Sequence, residues 1–113
     1  MRALAWLLLF CAATAAAQSY PNRPVRVLVG FAPSGGVDIS ARLLAAKLSD
    51  YPGQQFVVEN RPGAGTNIAA AEVAKSEPDG YTLFMNSPAV VINTALYAKP
   101  PYQMRDFTGV SIF

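Results

Sequence analysis

Apolar positions recur along the chain in two rhythms, and their alternation predicts strand, helix, strand, helix, strand. The run Val25-Arg26-Val27-Leu28-Val29-Gly30-Phe31, rich in Val and Leu and bounded by Pro24 and Pro33, reads as a buried strand. Over 39–48 the period lengthens to that of a helix. Ile39, Leu43 and Ala46 share one stripe with Leu44 and Leu48 beside it, which leaves Arg42 and Lys47 to face water. That helix must stop around 50–53, because Pro52 lacks an amide donor and Gly53 tolerates the turn. A second strand is expected over 54–59. It leads to a mostly alanine helix over 68–75 with Thr66 or Asn67 as its cap. Ala69, Ala70, Ala71 and Ala74 would let this helix pack close to its neighbours. A turn at 76–80 precedes a third strand over 81–85. A loop over 86–93, a brief helical turn at 94–97, a connection at 102–107 and the start of another strand at 108–113, with Val110 and Ile112 on one face, complete the chain. A helix between two strands makes a parallel pair, so the fold class is α/β, a parallel sheet with flanking helices.

Parallel strands place all their strand-to-helix loops on one edge of the sheet, where chemistry is expected. The first loop runs Phe31, Ala32, Pro33, Ser34, Gly35, Gly36, Val37, Asp38. Amides at a helix start lack partners within the helix, and the aligned peptide dipoles put roughly half a positive charge there, so an anion is the natural occupant. The bland alternative is a tight turn with Ser34 or Gly35 near the cap. A nucleotide loop is a poor fit, for no Gly-Lys-Ser/Thr follows the glycines and no complete Gly-x-Gly-x-x-Gly is present. Asp38 favours the helix start, yet it would repel an anion unless it points elsewhere or meets an ammonium group. In the second loop, over 60–67, Arg61 is a candidate carboxylate ligand, but a side-chain pair with Glu59 or a place on the surface is favoured. The third loop offers the short polar groups of Ser87 and Asn93.

Composition narrows the chemistry. The apolar share is 52%, enough for one core in 113 residues. Part of it belongs to a leader: a basic start at Arg2, an apolar run over 3–13 and small residues at Ala15, Ala16 and Ala17 have the layout of a secretory signal peptide, with cleavage expected after Ala17. Cys11 lies within it, so the remaining chain has no thiol. Nine basic residues, less Arg2, leave eight against seven acidic ones, scattered and without a basic stripe, which argues against nucleic acid. Histidine is absent, which removes His-ligated metals and the Ser-His-Asp triad. No catalytic residue, metal or cofactor is assigned, and a small secreted enzyme is disfavoured.

Several strings resemble a known family. Tyr20-Pro21-Asn22-Arg23-Pro24, the loop 29–38, Val57 to Ile68 with Glu59-Asn60-Arg61-Pro62-Gly63-Ala64-Gly65 at its centre, Pro78-Asp79-Gly80-Tyr81-Thr82-Leu83 and Asn93-Thr94-Ala95-Leu96-Tyr97 resemble the Bug family, periplasmic receptors of tripartite tricarboxylate transporters. The resemblance implies a type II periplasmic-binding-protein-like lobe, truncated, with 18–113 as part of the first of two lobes and the second absent. It implies an extracytoplasmic, monomeric receptor that delivers a small carboxylate to membrane transporter subunits. The alternative is a truncated remnant with no independent binding activity. By the same resemblance the ligand is held by backbone amides and ordered water at 32–38 and 87–93. Two departures stand out: family members commonly carry glycine where Ser34 stands, and Thr or another small polar residue where Val37 stands.

Overall fold

A computed structural model describes residues 19–51 and 53–112; the leader assigned to 1–17, with Cys11, lies outside the described residues. The chain forms strand β1 (Val25–Val29), helix α1 (Gly36–Asp50), strand β2 (Phe56–Asn60), helix α2 (Asn67–Ala74), strand β3 (Thr82–Met85) and helix α3 (Ala89–Leu96). Single 3-10 turns at Ala64–Thr66 and Met104–Asp106 complete it. The strands are ordered β2-β1-β3. Both pairings are parallel, from Val25 opposite Phe56 to Val29 opposite Asn60, and from Arg26 opposite Thr82 to Val29 opposite Met85.

The central strand is the most apolar one, as burial on both faces requires. Val25, Leu28 and Val29 are fully buried. From β1 the chain crosses one way to β2 and then back past β1 to β3. Right-handed crossovers taken in opposite directions put α1 and α2 on opposite faces of the sheet. The side chains agree: Asn60, beside Val29, bonds to Asp38 of α1, whereas Arg26 on the other face pairs with Glu72 of α2. Small residues set both helix packings, Ala41 and Ala45 for α1 and Ala69 and Ala70 for α2, all buried. Tyr102 is buried too; its hydroxyl donates to Val90 O at 2.7 Å, and Phe107 packs between Tyr102 and Phe84.

Three expectations are corrected. The stripe of Ile39 and Leu43 faces outward, 52% and 67% exposed, while Asp38, Ala41 and Ala45 face the sheet. The helix is apolar on two sides, and the side with small residues permits the closer approach to the strands. Second, the loop expected over 86–93 is a helix from Ala89 onward, despite the β-branched run Val90-Val91-Ile92. Amides of this first turn are taken locally: Ala89 N–H by Ser87 Oγ, Val91 and Ile92 N–H by Pro88 O. Third, residues 108–112 form no strand; Val110 is 86% exposed, and apolar alternation without a neighbour to pair with does not make a sheet.

Candidate functional site

All three strand-to-helix loops lie on one rim, at the carboxyl ends of the strands, because every pairing is parallel. The strand order reverses between β1 and β3, where one connection goes to each face. This is the topological switch point at which open α/β sheets bind ligands.

The first loop supplies the donors. Pro33 and Ser34 form a turn in which Ser34 has φ 71, and Gly35 caps α1 in an extended conformation. Ile39 N–H is the first to bond back, to Gly35 O at 2.9 Å. Among the described residues none accepts from the amides of Gly35, Gly36, Val37 or Asp38. A carboxylate above this helix start would meet several N–H groups and the positive end of fifteen aligned peptides. Phe31, Ala32 and Pro33 lead into this loop, Phe31 half-buried and the other two exposed.

Asp38 does not point at that space. Its side chain, 2% exposed, accepts from Ser34 N–H at 2.9 Å, Asn60 Nδ2 at 2.8 Å and Arg42 Nε at 3.0 Å. Hydrogen bonding from Arg42 first, then from Ser34 and Asn60, holds its carboxyl down to about 2. The repulsion expected from Asp38 is thus offset by Arg42, which lies across the loop base and is not merely solvated. Ser34 N–H is correspondingly engaged inside the protein.

Other expected residues divide. Ser87, half-buried, accepts from Ala89 N–H and retains its own hydroxyl proton for a further partner. Asn93 is buried within α3, and its Nδ2 donates to Gly65 O and, at 3.0 Å, to Asn67 Oδ1. It ties the second loop to α3. Arg61 pairs with Glu59 at 3.2 Å and with Glu72 at 3.3 Å, closing a ring with Arg26 that secures the base of the second loop to α2.

Two residues of this rim escaped the sequence reading as site groups. Thr66 is 2% exposed, yet its Oγ1 has no partner, and both side-chain polar atoms of Asn86, the first residue beyond β3, are buried without one. Buried polar atoms are normally bonded to protein or ordered water, and these lie on the rim where open α/β sheets take their ligands. Their signal in sequence is position alone, directly at the strand-to-helix junctions. Of the two expected caps, Thr66 or Asn67, it is Thr66 that occupies the cap position of α2, although no side-chain cap bond forms there.

Backbone strain collects at the same rim. Among the described residues the non-glycine residues with positive φ are Ser34 (71), Ala64 (49) and Thr66 (79), all in the first two loops. Such conformations cost of order 1 kcal/mol or more each and gather at functional sites. Ser34→Gly is therefore expected to stabilise the chain by about 0.5–1 kcal/mol, read as an increase in the urea midpoint at constant slope. No change would show that the Ser34 turn is unstrained. An open hollow of about 540 Å³ along α2, lined by Ala64, Ile68, Ala71 and Lys75 among others, holds none of the cradle residues.

Known proteins resemble this chain in sequence and in fold. A model described as the tripartite tricarboxylate transporter family receptor matches residues 40–113. The chain is 42% identical to protein BugT of Bordetella pertussis over 104 residues, 89% of this chain and 32% of that protein. It is similar to a protein of R. palustris solved with adipate, at 46% identity and a TM-score of 0.63 over 64% of this chain and 24% of that one. It is likewise similar to MatC from Rhodopseudomonas palustris with bound malate, at 45% identity and a TM-score of 0.55 over 57% and 22%. The chain thus spans about a third of BugT and under a quarter of each solved chain.

Proposed function

This chain belongs to the tripartite tricarboxylate transporter receptor family, whose members are periplasmic binding proteins and not enzymes, and from that premise we propose that it takes part in capturing a small carboxylate. In this reading residues 18–113 are part of the first lobe of a type II periplasmic binding protein, sent out of the cytoplasm by the leader at 1–17. The ligand carboxylate sits at the β1/β3 switch point on the amides of Gly35, Gly36 and Val37. The Ser87 hydroxyl completes its shell, and Thr66 Oγ1 and the Asn86 amide receive it or its bridging water. Transporter subunits in the membrane are the recipients, and the receptor acts as a monomer. The observation that carries the reading is the row of unpaired amides at the start of α1, directly above the switch point. The relatives solved with adipate and malate support a carboxylate as the ligand class.

Affinity follows from the donor count. A hydrogen bond to a charged group contributes about 1.5–3 kcal/mol. Three amides then give at most about 9, against an association cost of at least about 4. The difference corresponds to roughly millimolar binding, and micromolar binding needs about 8 kcal/mol net. Isothermal titration of residues 18–113 with adipate, malate and citrate is expected to show dissociation constants near or above millimolar. A micromolar constant would refute the donor count, and the absence of carboxylate-dependent shifts at the Gly35, Gly36 and Val37 amides in NMR spectra would refute the site. The second reading, a remnant that does not bind alone, is favoured by the outward apolar face of α1 at Ile39, Leu43 and Leu44. It predicts no carboxylate response at any concentration.

A further inference from the structure

We propose that Asp38, Asn60 and Arg42 form a clasp that presets the first loop, with Asp38 a positioning residue and not a ligand. The inference rests on the reading of that loop as the carboxylate cradle and adds what holds it in shape. Asn60 ends β2 opposite Val29, on the face that α1 covers. One Nδ2 hydrogen reaches Phe31 O at 3.1 Å, the other Asp38 Oδ1 at 2.8 Å. Asp38 Oδ2 accepts from Ser34 N–H at 2.9 Å and from Arg42 Nε at 3.0 Å. Arg42 returns to Asn60 Oδ1 at 3.0 Å, so the circuit closes.

Each polar atom of the circuit answers a need of the loop. Phe31 O and Ser34 N–H mark the two sides of the bend, and both are fixed from below by side chains on different elements. The left-handed Ser34 is held in place by its amide bond to Asp38. Arg42 neutralises the one carboxylate near the helix start, so its field does not oppose the incoming anion. Because Ser34 N–H turns inward, the amides of Gly35, Gly36 and Val37 remain for the ligand. A fully satisfied network of this kind fixes one geometry, and a preset loop lowers the ordering cost of binding.

Amide hydrogen exchange and NMR titration of the whole chain with adipate test the clasp through three variants, Asp38→Asn, Asn60→Ala and Arg42→Ala. The last is half exposed and leaves the core intact. Without ligand, Ser34 N–H is expected to exchange at least tenfold faster in Asp38→Asn and Asn60→Ala, with Val27 and Leu28 unchanged. Adipate dissociation constants read at the Gly35, Gly36 and Val37 amides are expected to rise about tenfold in all three, measured without urea where protection of Val27 and Leu28 shows each variant folded; Arg42→Ala also lowers the urea midpoint, since it leaves the buried Asp38 carboxylate without its guanidinium. A merely structural role would lower the midpoint and leave the affinity of the folded variant at the parental value. Unchanged Ser34 exchange in Asp38→Asn and Asn60→Ala, or unchanged affinity in Arg42→Ala, overturns the clasp. If the parental chain shows no adipate shifts but Ser34 exchange still accelerates in the variants, the clasp stands and the receptor reading fails.

Discussion

Gly30→Ala is expected to lower stability by about 2 kcal/mol and to dislodge the second loop, although it adds a single methyl group. A Cβ at Gly30 would lie 2.7 Å from Thr66 Cβ and 3.2 Å from Thr66 Cα. Neither atom can yield cheaply, since Thr66 is buried and ends the 3-10 turn directly before α2. The residue that follows the first strand therefore lies against the buried Thr66 Cβ of the second loop, and only glycine permits the approach. Thr66→Gly should rescue the variant, because it removes the obstructing atoms and suits the positive φ of 79 at that position. The double-mutant cycle in urea is expected to show a coupling above about 1 kcal/mol. Additive effects would mean that the Gly30 contact with Thr66 does not set the spacing of the loops.

Leu28→Ala is expected to cost about 3 kcal/mol, within the 2–5 typical of buried leucine truncation. Leu28 is fully buried at the centre of the sheet, flanked by Glu59 on β2 and Phe84 on β3, on the face that α2 covers. Small helix residues line that face, Ala69 and Ala70, and they have no side-chain length with which to fill the space left behind. The cavity term should thus be near its full value. Urea unfolding checks it, and a loss below about 1 kcal/mol would show that β1 is not the packed centre of the chain. For a domain of ordinary stability, about 5–15 kcal/mol, this one side chain is a large fraction of the whole.

Much of the fold was legible in local pattern. The Val and Leu run at 25–29, the alanine-rich helix after the second glycine loop and the stop near Tyr51 follow from chain chemistry that acts over a few residues. So does the prediction of parallel pairing, since a helix between two strands leaves little alternative. Of the two fates expected for Arg61, a pair with Glu59 or the surface, the pair forms, between residues two apart along the chain. Where expectation failed, a neighbour distant in sequence had decided. Ile39 and Leu43 carry a helical stripe as apolar as any, yet the sheet takes the alanine side. Asn93 reads as a loop residue, whereas contact with Gly65 and Asn67 makes it a buried strut. The apolar alternation of Val110 and Ile112 lacks a strand to pair with among the described residues.

The sequence by itself determined the order of elements, the glycine-bearing turns after the first two strands and the abundance of unpaired amides at the first helix start. Those features depend on propensity, period and the absence of a side chain, all of which are local. Tertiary structure alone decided the placement of β1 between its successors, which brings the first and third loops together at a switch point. It alone turned Asp38 away from the cradle, because the residues that draw it there, Asn60 and Arg42, come from a different strand and from the next turn of the helix. A charge is steered by whatever surrounds it in space, and sequence lists only what adjoins it along the chain.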